Sequence, residues 1–238
     1  MQARPLNIYP LSEQSVVLSF GDEVSEDILK QISAYHRTLQ QNPFAGYTDA
    51  VAAYTTLTVF YDALQVLLSD LPGADAFEKV SNYLMALAVK PAVAVKPANI
   101  ITIPVFYGDD FGPDLEALAT FHQLSVEEVI SIHTRPEYIV YMIGFVPGFA
   151  YLGGLDGRLE TPRLATPRPV IPAGSVGIAG KQTGVYPLET PGGWQLIGRT
   201  PLKMFGAGRA QPSLLQAGDK VKFAPISKDD FNQLSKAD

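Results

Sequence analysis

Between Tyr141 and Phe205 the chain is dense in glycine and proline yet keeps its large apolar side chains. The stretch reads Gly144-Phe145-Val146-Pro147-Gly148-Phe149-Ala150-Tyr151-Leu152-Gly153-Gly154, then Thr166-Pro167-Arg168-Pro169-Val170-Ile171-Pro172-Ala173-Gly174-Ser175-Val176-Gly177. It closes with Gln182-Thr183-Gly184-Val185-Tyr186-Pro187 and Pro191-Gly192-Gly193-Trp194-Gln195-Leu196-Ile197-Gly198-Arg199-Thr200. Of the 20 glycines in the chain, 14 lie between Gly144 and Gly208, so backbone freedom is concentrated here. A disordered linker with that glycine and proline load would be poor in Phe, Tyr, Trp, Leu and Ile. The segment is therefore expected to be folded, with tight turns and close backbone approaches, and to hold the site.

Composition narrows the chemistry. A formal net charge of −6 over 238 residues disfavours a nucleic-acid or anionic-membrane surface, since both require clustered Lys and Arg. No apolar run approaches the roughly 18 residues of a bilayer span. The start, Met1-Gln2-Ala3-Arg4-Pro5, lacks the apolar core of a secretory signal, so the cytoplasm is the expected compartment. With no cysteine, disulfides, thiolate nucleophiles and cysteine-ligated metals are excluded. His36, His122 and His133 are the only histidines, and none are spaced to put two ligands on one helix face, so no metal site is expected.

Along the chain, Leu6 to Tyr9, Ser15 to Phe20, Thr48 to Tyr54 and Thr56 to Tyr61 read as strands. Ser25 is placed to cap a helix carrying Ile28, Leu29, Ile32, Tyr35 and Leu39 at helical spacing, and a second helix is predicted over Asp75 to Val89. This order predicts an α+β domain over 1–95, an antiparallel sheet with helices on one face. The proline-flanked stretch from Lys90 to Pro97 reads as a linker. Beyond it, 96–238 shows a strand over Ile101 to Phe106, a helix start at Gly112-Pro113-Asp114, and a capping box at Ser125-Val126-Glu127-Glu128. Strands over Tyr138 to Ile143, Trp194 to Ile197 and Lys220 to Phe223, joined by long ordered loops, predict an all-β barrel with short helices.

Several short motifs invite chemistry. Gly177-Ile178-Ala179-Gly180-Lys181-Gln182-Thr183 suggests a phosphate loop but has Gln182 after the lysine, and Gly184 and Pro187 forbid a long helix behind it; a barrel loop is the plainer reading. Ala173-Gly174-Ser175-Val176-Gly177 is close to a nucleophile elbow without its helix, although Ser175, His133 and Asp156 can be written as a triad. His133 falls near a helix C-terminus, where the dipole favours the imidazolium; it can simply cap free carbonyls there or, as the one histidine beside the glycine-rich block, move protons near neutral pH. Thr161-Pro162-Arg163 and Thr166-Pro167-Arg168 repeat a pattern in which proline restrains the backbone ahead of a guanidinium, suited to holding a carboxylate or phosphate. Phe145, Phe149, Tyr151, Tyr186 and Trp194 can serve as barrel core and as the walls of a groove.

Gly-Phe-x-Pro-Gly-Phe-x-Tyr-Leu at 144–152, Pro-Arg at 162–163 and 167–168, Pro-Ala-Gly-Ser-Val-Gly-Ile at 172–178, Gln-Thr-Gly-x-Tyr-Pro at 182–187 and Pro-Gly-Gly-Trp-Gln-Leu-Ile-Gly-Arg-Thr at 191–200 together resemble one family. It is the family of B-type 5-oxoprolinase subunits, also called allophanate hydrolase subunit 1 or the KipI family. The resemblance extends over nearly the whole chain and is strongest after residue 100. It implies an N-terminal α+β domain followed by a cyclophilin-like β-barrel of the carboxyltransferase type. It implies a protein working with a second, related barrel subunit of the C type and a third, lactam-ring-binding protein, to open 5-oxo-L-proline to L-glutamate with ATP and Mg held by the complex. An inhibitor of a sensor histidine kinase and an allophanate- or urea-processing subunit are the alternatives. On the first reading His133, Arg163 and Arg168 are the catalytic candidates. Phe145, Phe149, Tyr151, Ser175, Gln182, Tyr186, Gly192, Gly193 and Trp194 would contact a small-molecule substrate.

Overall fold

The computed structural model describes residues 7–88 and 100–237, and the chain divides into two compact units, Met1–Pro97 and Ala98–Asp238. The expected linker at 90–97 and the expected boundary between 95 and 96 lie outside the described residues.

In the first unit β1 (Asn7–Ser12), β2 (Ser15–Ser19), β3 (Tyr47–Ala53) and β4 (Thr56–Tyr61) form an antiparallel sheet ordered β1-β2-β4-β3. The two-residue period of β4 turns Leu57, Val59 and Tyr61 into the core. Helix α1 (Glu26–Gln41) begins at Ser25, whose hydroxyl accepts the Ile28 amide at 3.2 Å. It packs Ile32 and Leu39 into one core with Val80 and Leu84 of α3 (Ala76–Ala88), and the Tyr35 hydroxyl donates to the Leu84 carbonyl at 2.6 Å. His36 is half-buried at the edge of this layer. The short helix α2 (Ala63–Leu68), capped by Asp62, has only Val66 to bury and so leaves no periodic signal in the sequence.

The second unit is a closed barrel. Its strands are β5 (Ile100–Tyr107), β6 (Tyr138–Ile143), β7 (Ala150–Gly153), β9 (Ser175–Ala179), β10 (Gln182–Val185), β12 (Gln195–Arg199) and β13 (Lys220–Pro225), ordered β10-β7-β6-β13-β5-β12-β9. The β13–β5 pair is parallel and the others are antiparallel. Ile103, Val105, Val140, Leu152, Val176, Ile178, Val185, Ile197, Val221 and Phe223 fill the interior. Outside the barrel, β8 (Arg168–Ile171) and β11 (Thr190–Gly192) form a two-stranded ribbon. Helices α4 (Leu115–Phe121) and α5 (Val126–Thr134) precede β6, and α6 (Lys228–Ala237) follows β13. The capping box of α5 is present in full: Ser125 accepts the Glu128 amide at 3.1 Å, and Glu128 accepts the Ser125 amide at 2.8 Å.

The glycine-rich block corrects one expectation. Much of it is strand rather than loop, supplying β7 to β12. Its small residues let strands lie close while its β-branched and aromatic neighbours pack, a pattern without strict alternation. Ala179 pairs with Gln182, so Gly180-Lys181 is a two-residue hairpin turn, with Gly180 at φ 54°. The amides flanking that turn belong to the β9–β10 ladder and form no phosphate cradle.

Candidate functional site

Six aromatic contacts build a recess on the barrel. Phe149 is its hub, meeting Tyr151 at 4.8 Å, Tyr186 at 5.2 Å, Trp194 at 5.4 Å and Phe145 at 5.7 Å between ring centroids, all edge-to-face. Tyr151 and Tyr186 also meet Trp194, at 6.1 and 6.3 Å. Edge-to-face packing sets the ring planes against one another and so shapes the walls. The recess encloses about 280 Å³, and Arg163, Pro167, Pro191, Gly192 and Gly193 complete its lining. Phe149 and Tyr186 are buried, whereas Phe145 is 61% exposed and is held at φ 73° on the β6–β7 connection. A left-handed backbone at a non-glycine residue costs about 1–3 kcal/mol and gathers at binding sites. Here it stands an aromatic ring at the mouth.

Arg163 is held from both sides. The Gly180 amide donates to the Thr161 carbonyl at 2.7 Å, the Gln195 side-chain amide to the Pro162 carbonyl at 2.9 Å, and the Leu164 amide to the Gly193 carbonyl at 2.7 Å. Thr161 gives its proton to the Leu159 carbonyl and so accepts from His122 Nε2 at 2.8 Å, which fixes that imidazole at the C-terminus of α4. The backbone of the Pro-Arg segment is thus pinned while its guanidinium stays exposed, with no carboxylate partner among the described residues. Tyr186 lies behind it. Burial pushes the phenol up to about 12, against the Trp194 amide, which donates to its oxygen, and the positive charges of Arg163 and Arg168. The hydroxyl therefore stays protonated at neutral pH and has its proton to give. Gly192 makes this possible: a Cβ there would lie 2.5 Å from the Tyr186 oxygen and 2.8 Å from Ile171.

Arg168, expected beside Arg163 in one cleft, lines a neighbouring recess instead. Its guanidinium donates to Asp114 at 2.6 Å and reaches the Trp194 carbonyl at 3.5 Å. The other Asp114 oxygen accepts the Leu196 amide at 2.6 Å. Asp114, at the start of α4, makes no helix-capping bond because its carboxylate is committed to this bridge. Arg168 is thus a tether that fixes the Trp194 loop. From the sequence Asp114 reads only as a helix start, and nothing local announces its distant partner. Ser175 lines the same second recess as Arg168, and Gln182 opens β10 opposite Ala179; neither lines the aromatic recess.

His133 is corrected more sharply. It does lie in the last turn of α5, but it is fully buried and stacks on Phe223 at 4.6 Å. Thr183 gives its proton to the Gly177 carbonyl, so it accepts from His133 Nε2 at 2.9 Å. Nδ1 is then the acceptor for the Tyr107 hydroxyl at 2.8 Å. Burial lowers its pKa to about 3, outweighing any helix dipole, and both ring nitrogens are used. The imidazole is a neutral core strut, and no triad with Ser175 forms. Among the described residues no three His, Asp or Glu side chains are grouped to hold a metal ion, and no helix is long and apolar enough to cross a membrane.

A small α+β unit joined to a closed barrel with an arginine-marked aromatic recess defines a carboxyltransferase-type protein. The chain belongs to the family described as carboxyltransferase domain, subdomain C and D, which it matches over residues 6–215. It is 47% identical to the B-type 5-oxoprolinase subunit of Bacillus subtilis (strain 168), over 94% of this chain and 95% of that one. It is 46% identical to the protein of the same name in Haemophilus influenzae, over 92% and 97% of the two chains. Among solved structures it is similar to TTHA0988, with a TM-score of 0.77 and 36% identity, covering 90% of this chain and 40% of that longer one.

Proposed function

We propose that this chain is the recess-bearing subunit of an ATP-dependent 5-oxoprolinase, which converts 5-oxo-L-proline, water and ATP to L-glutamate, ADP and phosphate. The observation that carries this reading is Arg163: an exposed cation on a pinned backbone at the edge of an aromatic recess of about 280 Å³. A five-membered lactam carrying one carboxylate fits that arrangement, its carboxylate on the guanidinium fork and its ring against Phe149 and Trp194. Tyr186, protonated and unable to ionise near pH 7, is then placed to donate a hydrogen bond to the lactam oxygen as charge develops there. The near full-length similarity to B-type 5-oxoprolinase subunits supports the substrate assignment.

A lactam is a poor electrophile, and ATP supplies the activation that hydrolysis requires. The one phosphate-loop candidate of this chain is the β9–β10 hairpin, and ATP and Mg are proposed to be held by the assembled complex. A second barrel subunit and a lactam-ring-binding third protein are the proposed partners. TTHA0988 carries the matching region as two-fifths of one longer chain, as expected if a second domain works beside it. The test is ATP-dependent glutamate formation by the purified chain with and without its candidate partners. Turnover is expected only in the mixture, and Arg163→Gln is expected to raise KM about 10- to 100-fold with a smaller effect on kcat. Full turnover by the chain alone, or an unchanged KM in the variant, refutes the reading.

A further inference from the structure

The second recess, about 190 Å³ and sharing no lining residue with the aromatic one, contains polar groups that the proposed reaction does not use. Arg199 of β12 and Ser175 of β9 are direct partners in the ladder, so their side chains lie on one face of the sheet a few ångströms apart. Ser175 is 2% exposed, and its hydroxyl has no hydrogen-bond partner among the described residues. Arg199 donates from Nε to the Ala173 carbonyl at 2.8 Å and lies 5.7 Å from the centre of the Phe111 ring. Its two terminal nitrogens have no partner among the described residues, and half-burial works against its charge. Both groups border the recess, so a ligand there meets a hydroxyl and a guanidinium edge that no side chain or backbone group among the described residues engages.

We propose that this recess binds a small monocarboxylate, its oxygens held by the terminal nitrogens of Arg199 and the hydroxyl of Ser175.

Charge selects the valence of the ligand. Arg168 is neutralised by Asp114, which leaves Arg199 as the cation without a carboxylate, and Asp110 on the wall opposes a second negative charge. A monoanion is therefore favoured over a phosphate dianion. The commitment of Nε to Ala173 leaves the end-on edge of the fork, whose two parallel donors match a planar carboxylate. Pro113, Val170, Pro172 and Leu196 give the remaining wall an apolar character suited to a short hydrocarbon tail. The volume is that of a ligand about the size of benzene.

The site is tested by titrating the full chain with sodium propionate, against sodium chloride at matched ionic strength, while following the Arg199 Nε–Hε and Ser175 amide NMR signals. Saturable shifts centred on these two residues are expected. Ser175→Ala should weaken them about tenfold, the loss of roughly one hydrogen bond to a charged group, and Arg199→Lys should remove saturation. Should Arg199→Lys fail to fold, the serine variant alone decides. Identical shifts with chloride, shifts centred on Arg163, tighter binding of inorganic phosphate, or binding by a peptide's terminal carboxylate but not by propionate would each overturn the assignment. None of these readouts depends on glutamate formation, so the site stands or falls apart from the proposed reaction.

Discussion

Acid should destabilise the barrel through His133. In the unfolded chain the imidazole titrates near 6.5, whereas in the fold burial holds it near 3. Above about pH 6.5 both states carry a neutral ring and the stability is complete. As pH falls below 6.5 the unfolded state takes up a proton that the native state refuses, so stability drops by about 1.4 kcal/mol per pH unit until pH approaches 3. From pH 6.5 to 5 that is about 2 kcal/mol. The full interval amounts to about 5 kcal/mol, comparable to the whole stability of a marginal domain. The chain's single tryptophan, Trp194, lies in the barrel, so urea unfolding followed by its fluorescence reports this unit rather than the one containing His36. The control is His133→Gln, which can still donate toward Thr183 but cannot titrate. The variant should be less stable at pH 8 by about 1–3 kcal/mol, because the Tyr107 hydroxyl loses its acceptor. Its stability should nonetheless fall less steeply with acid, by about 2 kcal/mol between pH 6.5 and 5. Parallel slopes in the two proteins, or a His133 NMR signal titrating near 6.5 in the folded state, would show that the reasoning is wrong.

Three further outcomes follow from the same geometry. Asp114→Asn removes the charge that holds Arg168 and weakens the bond to the Leu196 amide; a loss of about 1–3 kcal/mol is expected in urea unfolding, with a shifted Trp194 emission because its loop is released. Gly192→Ala places a methyl against Tyr186 and Ile171 and should cost about 1–3 kcal/mol as well as perturb that emission, whereas Gly157→Ala, which meets nothing within 4 Å, should leave the emission unchanged. Phe145→Gly relieves a left-handed backbone and removes an exposed ring, so it should leave the melting temperature level or slightly raised while weakening ligand binding in the assembled complex about tenfold. A lowered melting temperature with undiminished binding would show that Phe145 serves the fold.

Features carried by a local period or a local cap are readable from the sequence. Ile28 to Leu39 repeat at helical spacing, Ser25 and Ser125 cap the helices they precede, and the alternation in Thr56 to Tyr61 faces its core side inward. The aromatic recess is readable in membership, since Phe145, Phe149, Tyr151, Arg163, Tyr186, Gly192, Gly193 and Trp194 all line it. Strands β7 to β11 are not, because glycine and proline erase the two-residue period that marks a strand when its neighbours are not known. Placement beyond the local chain is also hidden. His133 has a helix terminus beside it in sequence but a barrel interior around it in space, and desolvation is the stronger influence.

The two arginines show most directly why residue type and spacing do not assign a role. Thr161-Pro162-Arg163 and Thr166-Pro167-Arg168 are the same local device, a restrained backbone carrying a guanidinium, and either could hold an anion. Asp114, more than fifty residues upstream of Arg168, breaks the equivalence by offering one oxygen to that guanidinium and the other to the Leu196 amide. An arginine so paired has its charge answered by a carboxylate of the fold, and what it contributes is the position of the Trp194 carbonyl. Arg163 keeps its charge because its surroundings bind the flanking backbone rather than the side chain. The neighbour that neutralises one guanidinium and spares the other therefore separates a tether from a ligand-binding group, and that neighbour is supplied by the tertiary fold.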